Sequence, residues 1–107
     1  MQLPTPIRAY FHADQDPAGA APIRAFAPDA VVRDEGETHV GREAIAAWWG
    51  AAKAAFRHAS EPLDASGDGD RVVVRAEVTG RFPGSPAVLA FAFQLRNGEI
   101  AALEIRA

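Results

Sequence analysis

Cysteine is absent from this chain. That excludes disulfides, thiolate metal sites and a cysteine nucleophile, and it fits a reducing, cytoplasmic setting. Positive charge is not in excess either. The formal net charge is -3 and no basic stripe is visible, so nucleic acid is not an expected partner. No apolar run approaches the length of a membrane span, so no membrane partner is expected. Met1-Gln2-Leu3-Pro4-Thr5-Pro6 lacks the basic region and long apolar stretch of a secretory leader. Histidines number only 3. With the carboxylates they show no ligand spacing such as His-Glu-x-x-His, and no metal is expected. A phosphate-cradling glycine loop, a Ser-His-Asp order and a nucleophile elbow are missing too. The expectation is a protein without a cofactor.

What is there suits one globular domain spanning 1-107. The 107 residues are too few for two domains. A hydrophobic fraction of 49% supplies a core, and 23% charged residues is ordinary. Thr5-Pro6 reads as the start of a first helix, because threonine caps well and an early proline loses no helical hydrogen bond. Ile7, Tyr10, Phe11 and Asp14 follow on one face. Asp16-Pro17 gives a second start. Pro22 interrupts the stripe of Ile23, Phe26 and Ala27, so the second helix is expected kinked or shortened and ended by Pro28-Asp29. Ala30–Asp34 reads as a short strand with Val32 and Asp34 on one face. Gly36 to Gly41 reads as a loop.

The third helix is the clearest. From Arg42 to about Phe56, Ile45, Trp48, Trp49, Ala52 and Phe56 recur at steps of three and four. Arg42, Glu43, Ala46, Ala47 and Lys53 are assigned to the opposite side. The period then changes to two. His58 to Ala65 is a weak strand and Arg71 to Phe82 a strong one. Ala87 to Arg96 carries Leu89, Phe91, Phe93 and Leu95 on one face and small residues on the other. Asn97-Gly98 signals a tight hairpin into Glu99–Arg106, where Leu103 and Ile105 share a face. Helices first and antiparallel strands after make an α+β pattern: three N-terminal helices packed on a curved, mostly antiparallel sheet. The small-residue face of that sheet suits a second copy, so a homodimer through it is expected.

Two segments carry a resemblance. Phe26-Ala27-Pro28-Asp29-Ala30-Val31-Val32-Arg33-Asp34 resembles the F-A-x-D-A-V-x-x-D segment of the nuclear transport factor 2-like superfamily. Val40-Gly41-Arg42-Glu43-Ala44-Ile45-Ala46-Ala47-Trp48 is similar to the start of that superfamily's third helix. The resemblance implies a cystatin-like cone, here a single SnoaL-like domain. Members of this size include SnoaL-like polyketide cyclases, ketosteroid isomerases and dehydratases. Ketosteroid isomerases place a tyrosine on the first helix and a carboxylate base at the end of the first strand; Tyr10 and Asp34 match those positions. The isomerases' protonated aspartic acid has no counterpart, since the corresponding strand here offers Phe91, Ala92 and Phe93.

The candidate site follows. Asp34, facing the helices, is placed to act as general acid or base. Tyr10 is placed to donate to a ligand oxygen. His39, expected in the loop, is a candidate proton shuttle. Val32, Trp48, Trp49, Phe56, His58, Phe91, Phe93, Leu103 and Ile105 are candidate ligand contacts, with at least one tryptophan facing the cavity. The expected ligand is a small apolar or ring-containing molecule. Three readings remain open: a cofactor-free isomerase or cyclase, a non-catalytic binding protein, and a structural dimer with a filled cavity.

Overall fold

A computed structural model of the chain describes residues 2–107. Helix α1 runs Thr5–Asp14 and helix α2 Arg42–Phe56. The six strands are β1 (Phe26–Asp34), β2 (Glu37–Val40), β3 (Ala59–Asp68), β4 (Arg71–Thr79), β5 (Ala87–Arg96) and β6 (Glu99–Arg106). They form one sheet in the order β2-β1-β6-β5-β4-β3. Every neighbouring pair is antiparallel except β1 and β6, which run parallel.

The expected second helix is one 3-10 turn, Ile23–Ala25. The physical reason lies just upstream. Asp16 Oδ1 accepts the Ala18 N–H at 2.9 Å, so the acid closes a local turn and caps no helix. Pro22 then lacks the donor that a continuing helix needs. The chain therefore enters β1 earlier than expected, at Phe26, which pairs with Ile100. The pairing shifts between Phe26 and Val31, where Pro28 has no N–H to give a ladder. The Arg42 guanidinium ties this irregular start to α2 through two hydrogen bonds to the Phe26 carbonyl, at 2.9 and 2.7 Å.

The expected loop after β1 is also a correction. Asp34 pairs with Glu37 across a two-residue turn. Glu35 (φ 52) and Gly36 (φ 78) both take positive φ, the twist that suits a tight hairpin. Strand β2 results. The Asn97-Gly98 hairpin forms as its sequence indicates, with φ 53 and 77 and Arg96 opposite Glu99.

Register shifts between Pro62 and Asp64 in β3 and between Gln94 and Leu95 in β5 mark bulges, which bend a sheet and raise its twist. Both helices lie in the resulting hollow. Helix α1 buries Ile7, Tyr10, Phe11 and Asp14, and α2 buries Ile45, Trp49 and Lys53. Lys53 thus belongs to the inner side of α2, contrary to expectation. Tyr10 sits at the centre of the core. Its ring meets Phe11, Phe26, Trp49, Phe91 and Phe93 edge-on at 5.2, 6.1, 5.3, 6.0 and 5.5 Å, the arrangement that sets ring edges against ring faces. The other face of the sheet carries exposed Val88 and Val40 and the Arg75–Asp64 ion pair. Among the described residues, no helix is long and apolar enough to cross a membrane.

Candidate functional site

Between the helices and one end of the sheet lies a cavity of ≈ 840 Å³. Sheet register decides which residues reach it. Asp34, Ile105 and Phe91 pair in one row across β1, β6 and β5, and all three line the cavity. Two residues along each strand, about 7 Å away, Val32, Leu103 and Phe93 form the neighbouring row. That row is buried to within 3% and is absent from the cavity wall. These three residues, expected at the ligand, are core.

Asp34 ends β1 half-buried, with Oδ2 accepting the Trp48 indole N–H at 3.1 Å. Among the described residues its other oxygen has no hydrogen-bond partner. Tyr10 reaches the same cavity from α1. Burial pushes its hydroxyl well above the ordinary phenol range, and the charges of Asp14 and then Asp34 push it further. The phenol therefore stays protonated and serves as a donor.

Both tryptophans line the cavity, as do Phe56 and His58. Trp49 is fixed by its indole N–H, which donates to the Gly19 carbonyl at 2.8 Å. His39 also lines the wall, but from strand β2 and not from a loop. It pairs across from Val32, so it faces the helices. Its ring lies 5.9 Å from that of Trp48, and its Nε2 sits 3.6 Å from a Glu37 carboxylate oxygen.

Sequence pattern alone does not single out Lys53 or Ser60, and it places Asp14 on the inner face without assigning it a partner. Asp14 is 1% exposed and Lys53 5%. Lys53 Nζ donates to Asp14 Oδ1 at 2.7 Å and to the His58 carbonyl at 2.8 Å, and it lies 5.1 Å from the Trp49 ring centre. His58 Nδ1 lies 3.5 Å from the same Asp14 oxygen. Ser60 is buried on the wall, and among the described residues its hydroxyl has no partner. A usable signal existed: Ile45, Trp49 and Lys53 are spaced by four, and an acid on an apolar helix face needs a partner. Among the described residues, no Lys or Arg lines the cavity, and no group of His, Asp and Glu could hold a metal ion.

The chain matches no curated protein. Among solved structures, a protein from Sinorhizobium meliloti, described as a candidate polyketide cyclase, is 50% identical. The match covers 97% of this chain and 95% of that one, with a TM-score of 0.90. A Catenulispora acidiphila protein with a ketosteroid isomerase-like fold, solved with trimethylamine, is 25% identical over 99% of this chain and 87% of its own, at TM-score 0.83. A cystatin-fold protein from Novosphingobium aromaticivorans shares the fold at 22% identity, covering 100% and 99%, at TM-score 0.76. The SnoaL-like domain family matches residues 7–103. With helices cupped in a curved six-stranded sheet and that match over most of its length, the chain belongs to the SnoaL-like domain family of the nuclear transport factor 2-like superfamily.

Proposed function

We propose that the cavity performs cofactor-free proton transfer on an apolar, ring-containing molecule, with Asp34 as general acid/base and Tyr10 as the donor to the substrate oxygen. The observation that carries this is one aromatic-walled cavity holding both a carboxylate, steadied through one oxygen by Trp48, and a buried phenol that stays protonated. Asp34 takes a proton from a carbon beside a carbonyl. The C–H electron pair becomes a C=C bond and the carbonyl π pair moves to oxygen, against the Tyr10 hydroxyl. In a cyclisation the enolate carbon then attacks a second carbonyl of the same molecule, and Asp34 returns its proton to the new alkoxide. The Sinorhizobium relative's description supports cyclase-like chemistry. Phe91, Ala92 and Phe93, standing where isomerases keep a third acid, support it over steroid isomerisation.

The test is hydrogen–deuterium exchange at the α-carbons of 2-tetralone in D2O, followed by NMR. Wild-type protein should accelerate it, and Asp34→Asn should lose about a hundredfold or more of that acceleration. An Asp34→Asn variant that exchanges as fast as wild type refutes the mechanism. A second reading, a non-catalytic binding protein, draws on the Catenulispora neighbour, which was solved with a small molecule bound. Tetralone quenching of the tryptophans with no exchange above background would favour it.

A homodimer through the outer sheet face belongs to the same proposal. Val88 is 44% exposed there, beside small Ala90 and Ala92 and the flanking Arg75–Asp64 and Arg106–Glu104 pairs. Sedimentation of wild type as a monomer at micromolar concentration would remove it.

A further inference from the structure

Proton transfer at Asp34 makes no use of one buried titratable cluster, formed by Asp14, Lys53 and His58 with Ser60 beside them. We propose that this inner end of the cavity is a second polar subsite that reads a hydroxyl of the ligand, His58 accepting its hydrogen bond while Asp14 orients the imidazole. The inference rests on the cavity's being a site for a ring-containing ligand, as above, but not on the chemistry of Asp34.

The backbone of His58 is held from two directions. Lys53 donates to its carbonyl, and Gly80 packs so closely that a Cβ there would lie 2.9 Å from the His58 Cα. The side chain is held by charge. Nδ1 is closed off from solvent and faces the Asp14 carboxylate at 3.5 Å. A proton on Nδ1 is favourable beside that oxygen and a lone pair is not, so the lone pair falls on Nε2. The imidazole lines the cavity and its side chain keeps 20% exposure, with Nδ1 turned inward, so Nε2 is the nitrogen offered to a ligand. Asp14 can serve His58 because Lys53 already offsets its charge at 2.7 Å.

The groups around His58 keep it an uncharged acceptor. Burial lowers its pKa below 6.5 and outweighs the opposing charge of Asp14; Lys53 lowers it further and Asp34 raises it. Near neutral pH the ring is uncharged. The cavity then offers an acceptor at His58 Nε2, a donor at Tyr10, and at Ser60 an unpartnered hydroxyl on a residue only 3% exposed. A hydroxyl group both donates and accepts, so it satisfies such a set. A ketone only accepts, and a carboxylate is repelled by Asp14 and Asp34. The chemical class is a phenol or enol. Its O–H donates to His58 Nε2, its oxygen accepts from the Ser60 hydroxyl, and both ligand and imidazole stay uncharged.

The experiment uses 4-nitrophenol and 4-nitrotoluene, which has the same shape without the hydroxyl. Both are titrated into the whole protein at a pH below the free phenol's own ionisation. Wild type should prefer 4-nitrophenol by up to about tenfold, the scale of one hydrogen bond between uncharged groups. His58→Phe should lose the preference while still binding 4-nitrotoluene, which shows that the cavity is intact. A preference that survives in His58→Phe overturns the assignment to His58. Failure of both probes to bind wild type sinks the ligand-cavity reading and this inference with it. Loss of tetralone exchange without loss of the phenol preference touches only the role of Asp34.

Discussion

Replacing Lys53 by methionine keeps the length of the side chain and removes its charge. The consequence can be worked from the geometry. The Lys53–Asp14 contact is 2.7 Å and both side chains are nearly out of solvent, at 6% and 1% exposure. At an effective dielectric of about 20, the attraction at that distance is about 6 kcal/mol. Desolvating each ion costs several kcal/mol, so the intact pair contributes little net stability. Breaking it is another matter. The Asp14 carboxylate would keep only the uncharged His58 imidazole at 3.5 Å, and an uncompensated buried charge costs about 3–5 kcal/mol. With a urea dependence of about 2 kcal/mol/M for a domain of this size, the unfolding midpoint of Lys53→Met should fall by about 2 M. Tryptophan fluorescence is the natural probe, since the ammonium lies 5.1 Å from the Trp49 ring. The double variant Lys53→Met with Asp14→Asn removes both charges and should recover most of the loss. A single variant within about 1 kcal/mol of wild type would refute the reasoning, as would a double variant no more stable than the single.

Two further perturbations test the wall around His58. Gly80→Ala sets a methyl 2.8 Å from the Phe56 carbonyl oxygen and 2.9 Å from the His58 Cα. Both are backbone atoms that must shift, so the variant should lose about 1–3 kcal/mol in urea unfolding; an unchanged midpoint would show that the contact is loose. The pH response is set by His58, whose pKa is lowered by burial first and by Lys53, against Asp14 and Asp34. The unfolded chain takes up this proton near pH 6.5 and the folded chain only below that. The stability is therefore fully present above that pH and is lost as the pH falls through the interval beneath it. His58→Gln should flatten that slope; parallel stability curves for variant and wild type would contradict it.

Much of this architecture is written in period and turn chemistry. Helix α2 is legible because Ile45, Trp49 and Phe56 keep helical spacing without interruption, and the β5–β6 hairpin because Asn97 and Gly98 both tolerate positive φ. The β1–β2 hairpin is not, because Glu35 takes that conformation with no local signature. Nor is the fate of residues 16–25, where the Asp16 side chain chose Ala18 over a helix cap. Asp34 is legible as an inward carboxylate because strand alternation is strict. Alternation cannot say how far along the strand the helices stop covering the sheet. That boundary falls between the row of Val32, Leu103 and Phe93 and the row of Asp34, Ile105 and Phe91. Lys53 was hidden for a different reason. A lysine between alanines reads as solvent-facing until its partner on another helix is known.

The contrast between those two rows bears on what the cavity is for. One row shows that this sheet packs apolar side chains to near-complete burial. One step further the same sheet and helices present a carboxylate, two imidazoles and a serine hydroxyl to a common space. Among the described residues, His39 Nε2, His58 Nδ1 and Ser60 Oγ are buried there without a hydrogen-bond partner, and an atom left so costs about 1–3 kcal/mol. Summed, that approaches a sizeable part of the roughly 5–15 kcal/mol that holds a typical domain together. Nearby carboxylates at 3.6 and 3.5 Å ease the cost for the two imidazoles. Nothing among the described residues eases it for Ser60. A core selected for stability alone would carry valine or alanine at that position. Polar groups that weaken the fold yet converge on one cavity are not explained by the packing of the chain itself; on the function proposed above, a ligand or the water it displaces completes their hydrogen bonds.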